Sequence, residues 1–372
     1  MPTASSDVSQ DDSELEALRT GIRDVLEREA SRDRVQGFVG GGLTLYQGLW
    51  AKASELGWLA LAIPDEHGGL GLDFAALAIL YEELGRFVAP LPLVGTMLVA
   101  EALATAGSPE QQALWLPRIA AGEIPASPAV HCSEATGVSM TGAGSMLSLS
   151  GHADDLIEGA TARLLLIAAT EADGTPRHVL LEPEADGVTV VVEPTMDQTR
   201  HLARVQFENT LIPADRLLPG PAGALNDALL THAALALACD AMGGAAAIFE
   251  LTIDYLKIRE QFGRPIGSFQ ALKHRCADHK VALEASGAVV REAVAKRASG
   301  APDAPLYAAM AKFYACDVYA AIATDAVQLH GGIGFTWEHP CHLFLKRAKL
   351  NEALFGAAAA HADRAANLLL AA

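Results

Sequence analysis

The hydrophobic period of this chain changes twice, and that limits what it can fold into. From about residue 13 to 122, apolar residues recur at three- and four-residue spacing. Leu15, Leu18, Ile22, Val25 and Leu26 share one helical face, and Leu77, Leu80, Tyr81 and Leu84 another. Between these faces, residues 63–73 (IPDEHGGLGLD) read as a turn-rich loop. From about 125 to 219 the runs are short and apolar or β-branched (163–169, 178–181, 188–192, 203–207), and Asp-Gly and Glu-Pro turn signals separate them. Beyond about 223 the helical period returns in long Ala-rich segments, with Ser268 and Asp303 as expected N-caps and Gly331–Gly332 as an expected stop. The order predicts an α+β chain with an N-terminal helical domain (1–124), a middle β-barrel domain (125–219) and a C-terminal four-helix-bundle domain (220–372).

With 372 residues, 51% of them hydrophobic, the chain can bury a large core, and only 19% charged residues imply that other subunits cover part of its surface. A net charge of −18 without a Lys/Arg cluster argues against nucleic acid and anionic membrane as partners. Cys132, Cys239, Cys276, Cys316 and Cys341 are scattered with no zinc-type spacing, so reduced thiols, a cytoplasmic location and no metal site are expected. The first sixteen residues are polar and acidic, unlike a signal peptide. The runs at 88–107 and 233–249 contain Pro90, Pro92 and Glu101, or Asp240, and read as buried helices rather than membrane spans. P-loop, HExxH, GxSxG and Rossmann GxGxxG patterns are absent, and Gly40, Gly41 and Gly42 read as a flexible loop.

Two segments carry groups suited to a dinucleotide. Residues 255–270 read YLKIREQFGRPIGSFQ and residues 328–335 read QLHGGIGF. Arg259 offers a planar, permanently charged fork for a phosphate. Gly331, Gly332 and Gly334 let a backbone approach an anion closely. Gln261, Gln270 and Gln328 can donate and accept, and Phe262 can stack on adenine. The plainer alternatives are a helix C-cap at Gly331–Gly332 and a surface ion pair of Arg259 with Glu260 or Asp254.

In order and spacing these segments resemble the flavin-nucleotide motifs of the acyl-CoA dehydrogenase family. So do LGWLALAIPDEHGGLGLD (56–73), YEELGR (81–86), LPRIAAGE (116–123) and VQFENTLIPADRLL (205–218), and the likeness covers roughly 15–356. The resemblance implies FAD as cofactor, acyl-CoA α,β-dehydrogenation, an electron-transferring flavoprotein as acceptor and a homo- or hetero-tetramer. It also implies that Arg259, Gln261, Phe262 and Gln270 serve one FAD while Gln328, Gly331, Gly332 and Gly334 come from a neighbouring subunit.

One feature of the family pattern is missing. Removing the α-proton of an acyl-CoA calls for a carboxylate base whose pKa is raised in a dry site. At the two positions where the family keeps its glutamate, this chain has Phe355 (before Gly356) and Ala233. Glu352 and Asp240 lie one and two helical turns away, and His232 is adjacent to Ala233. A turn is about 5 Å, too far to keep proton-transfer geometry, so Glu352 is expected to pair with Lys349, and Asp240 and His232 to be buried and hydrogen-bonded. Glu158 and Gly159 stand near the expected flavin ring where the family has a small hydroxyl, and Ser133-Glu134-Ala135 replaces its acyl-site turn. The segments TMDQTRHLARV (195–205) and GGIGFTWEHP (331–340) are most similar to subunits of actinobacterial heterotetramers that degrade sterol side chains, in which the partner chain supplies the carboxylate. A homotetramer with an unrecognised base, a flavin-dependent monooxygenase and a non-catalytic scaffold subunit are the alternatives.

Overall fold

In the N-terminal part helices follow one another closely: α1 (Ser5–Glu29), α2 (Arg32–Phe38), α3 (Thr44–Glu55), α4 (Phe74–Arg86), α5 (Leu93–Ala106) and α6 (Pro109–Ala120). The computed structural model describes residues 5–39, 44–129, 137–220 and 222–371. Local chemistry sets several boundaries. Asp73 caps α4 by accepting from the Ala75 N–H, and Ser108 and Gln111 form a reciprocal capping box around Pro109 at the start of α6. The run at 88–107 is the buried α5, as its composition predicts.

The middle part holds β1 (Ala126–Ala129), β2 (Val138–Ala143), β3 (Met146–Ile157), β4 (Leu164–Glu171), β5 (Pro176–Leu181), β6 (Val188–Glu193) and β7 (Leu202–Pro213). They form one mixed sheet in the order β1-β4-β2-β3-β7-β6, with β5 on β4. Among the described residues the ladder is an open path rather than a closed ring. The four predicted runs correspond to β4, β5, β6 and part of β7. The long β2–β3 hairpin has no counterpart in the prediction, because its Ser- and Gly-rich edge obscures the period-two pattern. One sheet face closes over its own core of Leu149, Leu165, Ile167, Val179 and Val205.

The C-terminal part begins with α7 (Ala222–Ile258), followed by a two-stranded hairpin, β8 (Glu260–Gln261) and β9 (Arg264–Pro265). Then come α8 (Gln270–Ala298), α9 (Ala304–His330), α10 (Cys341–Ala353) and α11 (Ala358–Ala371). By length and composition α7 could cross a membrane, but 72% of its apolar window is buried inside the protein, as in a core helix. Two glycines let α4 lie against it. A Cβ on Gly85 would stand 2.0 Å from the Asp240 carbonyl oxygen, and one on Gly243 1.8 Å from that of Glu82. Two predicted caps are corrected. Phe269, not Ser268, precedes α8; Ser268 sits in a 3₁₀ turn with its hydroxyl buried. Asp303 holds the N-cap position of α9, but its carboxylate accepts from Lys296 Nζ at 2.8 Å instead of capping. Gly331, at φ +63°, ends α9 as predicted.

Candidate functional site

The two nucleotide-type segments meet at one end of the bundle. α7 and α9 run parallel, with Gly244 against Tyr319 and Tyr255 against His330 seventy-five residues on in each case. Their C-terminal ends therefore lie side by side, and so do the hairpin and the Gly-rich loop that follow them. The Tyr255 hydroxyl donates to the His330 carbonyl (3.2 Å), and the two rings stack at 4.4 Å.

Glu260 pairs with Pro265 and Gln261 with Arg264, which leaves Phe262 and Gly263 as a two-residue turn. Both have positive φ (+55° and +75°), as a type I′ turn requires. This places the Phe262 ring 90% exposed, with Arg259, Gln261 and Gln270 also in solvent. Asp254 pairs with Lys257, so it is not the ion-pair partner of Arg259.

The glycines of the loop differ in role. A Cβ on Gly331 or Gly332 would meet nothing within 4 Å, so open space lies above that backbone. A Cβ on Gly334 would stand 2.6 Å from the Val327 carbonyl oxygen. Gly334 is buried and packs the loop onto α9, where only a residue without a Cβ fits. Gln328 is exposed on the last turn of α9. Ile258, Ile333, Phe335 and Trp337 add exposed apolar surface to Phe262 at this end, more than a solvated helix end normally carries. An exposed guanidinium, open space above the Gly331–Gly332 backbone and an aromatic tip fit a dinucleotide.

The positions of the family base are filled otherwise. Phe355 has φ +54° and precedes Gly356 at φ +105°, so the backbone makes the expected turn, but its side chain is a phenyl ring 8% exposed in the core. The Phe355 carbonyl accepts from His361 Nε2 at 3.0 Å. Glu352 faces away from this ring. It pairs with Lys349 at 2.8 Å and lines a polar groove of about 480 Å³ with Arg275, His279 and Asp325.

Ala233 is buried in α7. Beside it, His232 has both nitrogens engaged, Nε2 with the Tyr81 hydroxyl (2.8 Å) and Nδ1 with Glu101 Oε2 (2.5 Å), while Glu101 Oε1 accepts from Arg297 (2.5 Å). Burial of Glu101 works against its charge, yet the facing His232 and Arg297 hold its pKa below the ordinary value. Both nitrogens of His232 are thus engaged within the core.

Asp240 is saturated. Oδ2 accepts from Arg200 (2.6 Å) and Arg347 (3.1 Å), and Oδ1 from Asn351 (2.6 Å). Arg347 also donates to Asp197 (2.7 Å) and Thr199 (2.6 Å), Arg200 to the Asn351 side-chain oxygen (2.8 Å), and Lys312 to the Asn351 carbonyl (2.5 Å). This buried network ties the β6–β7 loop to three bundle helices. Asp197 and Arg200 lie in the TMDQTR segment; nothing local in the sequence pointed to Lys312, Arg347 or Asn351 as their partners.

Glu158 is buried in the fold. Its side chain is 2% exposed, one oxygen accepts from the His201 N–H at 3.2 Å, and the other has no partner among the described residues. Burial pushes its pKa up to about 8. Ser133, Glu134, Ala135 and Gly40–Gly42 lie outside the described residues.

Models of the N-terminal and C-terminal domains of acyl-CoA dehydrogenases match residues 12–123 and 224–370. The chain belongs to the acyl-CoA dehydrogenase family. Acyl-CoA dehydrogenases are FAD-dependent oxidoreductases. Among relatives, acyl-CoA dehydrogenase IpdE2 of Mycobacterium tuberculosis is 36% identical over 337 residues, covering 90% of this chain and 91% of the relative. Among solved structures, a variant of the Tcur3481-Tcur3483 steroid ACAD is 31% identical with a TM-score of 0.87, covering 96% of this chain and 98% of that one. The ChsE4-ChsE5 complex from Mycobacterium tuberculosis is 25% identical with a TM-score of 0.89, covering 96% and 97%. The acyl-CoA dehydrogenase fold of helices, mixed sheet and helices agrees with the sequence reading.

Proposed function

We propose that this chain is the FAD-binding subunit of a two-chain acyl-CoA dehydrogenase whose catalytic carboxylate comes from a homologous partner. The observation that carries the reading is Phe355. The backbone keeps the turn that would present a base, and a buried phenyl ring occupies it. No second base compensates at the other position, since Ala233 is a methyl group, His232 is engaged at both nitrogens and Asp240 is held by two guanidinium groups. Two solved neighbours whose names join two chains support a two-chain assembly, and the steroid ACAD among them supports a steroid-derived acyl-CoA as substrate.

In this reading Arg259 binds the FAD pyrophosphate, Phe262 stacks on adenine, and Gln261 and Gln270 orient the nucleotide. Gln328, Gly331 and Gly332 approach the FAD held by the neighbouring subunit, with Gly334 fixing the shape of that loop. Bound FAD supplies the hydride acceptor, and an electron-transferring flavoprotein takes the electrons onward. The partner removes the proton at Cα. Covering of Phe262, Phe335 and Trp337 by a neighbouring chain accounts for their exposure here.

The test is anaerobic titration of the purified flavoprotein with a panel of acyl-CoA thioesters, steroid-derived and linear, following flavin absorbance. The expected result is no bleaching by the chain alone and bleaching once a glutamate-bearing homologue is added. Bleaching by the chain alone would sink the reading and indicate a self-sufficient dehydrogenase.

A further inference from the structure

Folding brings together three metal-type ligands that the sequence scatters. His330 ends α9, and His339 and Cys341 flank the start of α10; one ligand atom from each lies within 4.8 Å of the other two. His330 and Cys341 are 3% and 0% exposed, and His339 is half-buried. The hydrogen bonds fix the His330 tautomer. Its Nδ1 lies 2.8 Å from the Ala326 carbonyl, which can only accept, so Nδ1 carries the proton and Nε2 a bare lone pair. That buried Nε2 has no partner among the described residues, and an unpaired polar atom in a core is costly. A histidine donating through one nitrogen to a backbone carbonyl, with the other free, is the arrangement metal-bound histidines adopt.

The rest of the cluster agrees. Cys341 Sγ is 3.4 Å from His330 Nδ1, the nitrogen that also faces the Ala326 carbonyl, and the His330 and His339 ring centroids are 4.4 Å apart. His342 follows in the chain, and its Nδ1 is likewise buried without a partner among the described residues.

We propose that His330, His339 and Cys341 form a binding site for a borderline-soft divalent metal ion, Zn²⁺ first, with water completing it. Two imidazoles and one thiolate suit such an ion. On binding, the Cys341 S–H bond breaks, a sulfur–metal bond forms and the proton leaves to solvent, with no change of oxidation state. The ion joins the end of α9 to the start of α10 and so pins the intervening loop, Gly331–Phe335. This inference does not rest on the proposed function.

The purified flavoprotein is titrated with Zn²⁺ against a chromophoric chelator, and with Co²⁺ as a spectroscopic stand-in. The expected result is one ion per chain, a thiolate-to-cobalt charge-transfer band in the near ultraviolet, and loss of that band in C341S. H339Q replaces the most accessible ligand and is the least disruptive variant; its Zn²⁺ affinity should fall at least about tenfold with an unchanged circular dichroism spectrum. Substoichiometric Zn²⁺, a cobalt spectrum without the sulfur band, or equal affinity in wild type and H339Q would overturn the proposal.

Discussion

Glu158 is a carboxyl group whose ordinary pKa of 4.5 moves to about 8 because burial penalises its charge. The folded state therefore holds a proton between those values that the unfolded chain releases, so stability falls as pH rises from 4.5 to 8, by an amount on the order of 4 kcal/mol. Glu158→Gln removes that contribution: in urea unfolding, the change in midpoint from pH 5.5 to pH 8.0 should be more positive in the variant than in the wild type. His178 acts oppositely. Burial takes it from 6.5 to about 4, so its contribution is lost as pH falls through that range. The residue scale also holds the filled base position. Phe355 is packed in the core, so Phe355→Ala should lower stability by about 3–5 kcal/mol, read by the same urea midpoints. Such a cost marks the ring as a packed part of the fold, not a loosely held substitute for a catalytic group.

Elements decide what each motif residue does. The hairpin holds Phe262 at positive φ on its tip, where the ring meets Phe269 edge-on at 6.1 Å. Phe262→Ala should leave the unfolding free energy of the chain within about 0.5 kcal/mol while weakening retention of FAD on gel filtration. In the Gly-rich loop, Gly332→Ala meets open space and should be neutral for folding, whereas Gly334→Ala drives a methyl into the Val327 carbonyl and should cost about 1–3 kcal/mol. Thermal unfolding of the two variants side by side checks this difference. Sequence alone treats these glycines alike, since the spacing shows a flexible backbone but not which side faces solvent.

Across the whole molecule, the Arg347–Asp197–Asp240–Arg200 network joins the middle sheet to the helix bundle. Removing one partner strands buried charge, so Asp240→Ala should cost about 3–5 kcal/mol and broaden the calorimetric transition as the two parts uncouple. Replacing half-buried Glu352 breaks only its pair with Lys349 and should cost under about 1 kcal/mol. The sequence by itself determined the order of helices, strands and helices, the two nucleotide-type segments and the absence of the expected glutamate. These follow from hydrophobic period and local residue type, which need no knowledge of distant neighbours. Tertiary structure alone decided which side chains meet: that Asp240 and His232 are already engaged, that Glu158 turns into the core, that Gly334 is a packing residue, and that His330, His339 and Cys341 converge. Those facts depend on how α7, α9, α10 and the β6–β7 loop pack together, and packing places in contact residues about 150 positions apart in the chain.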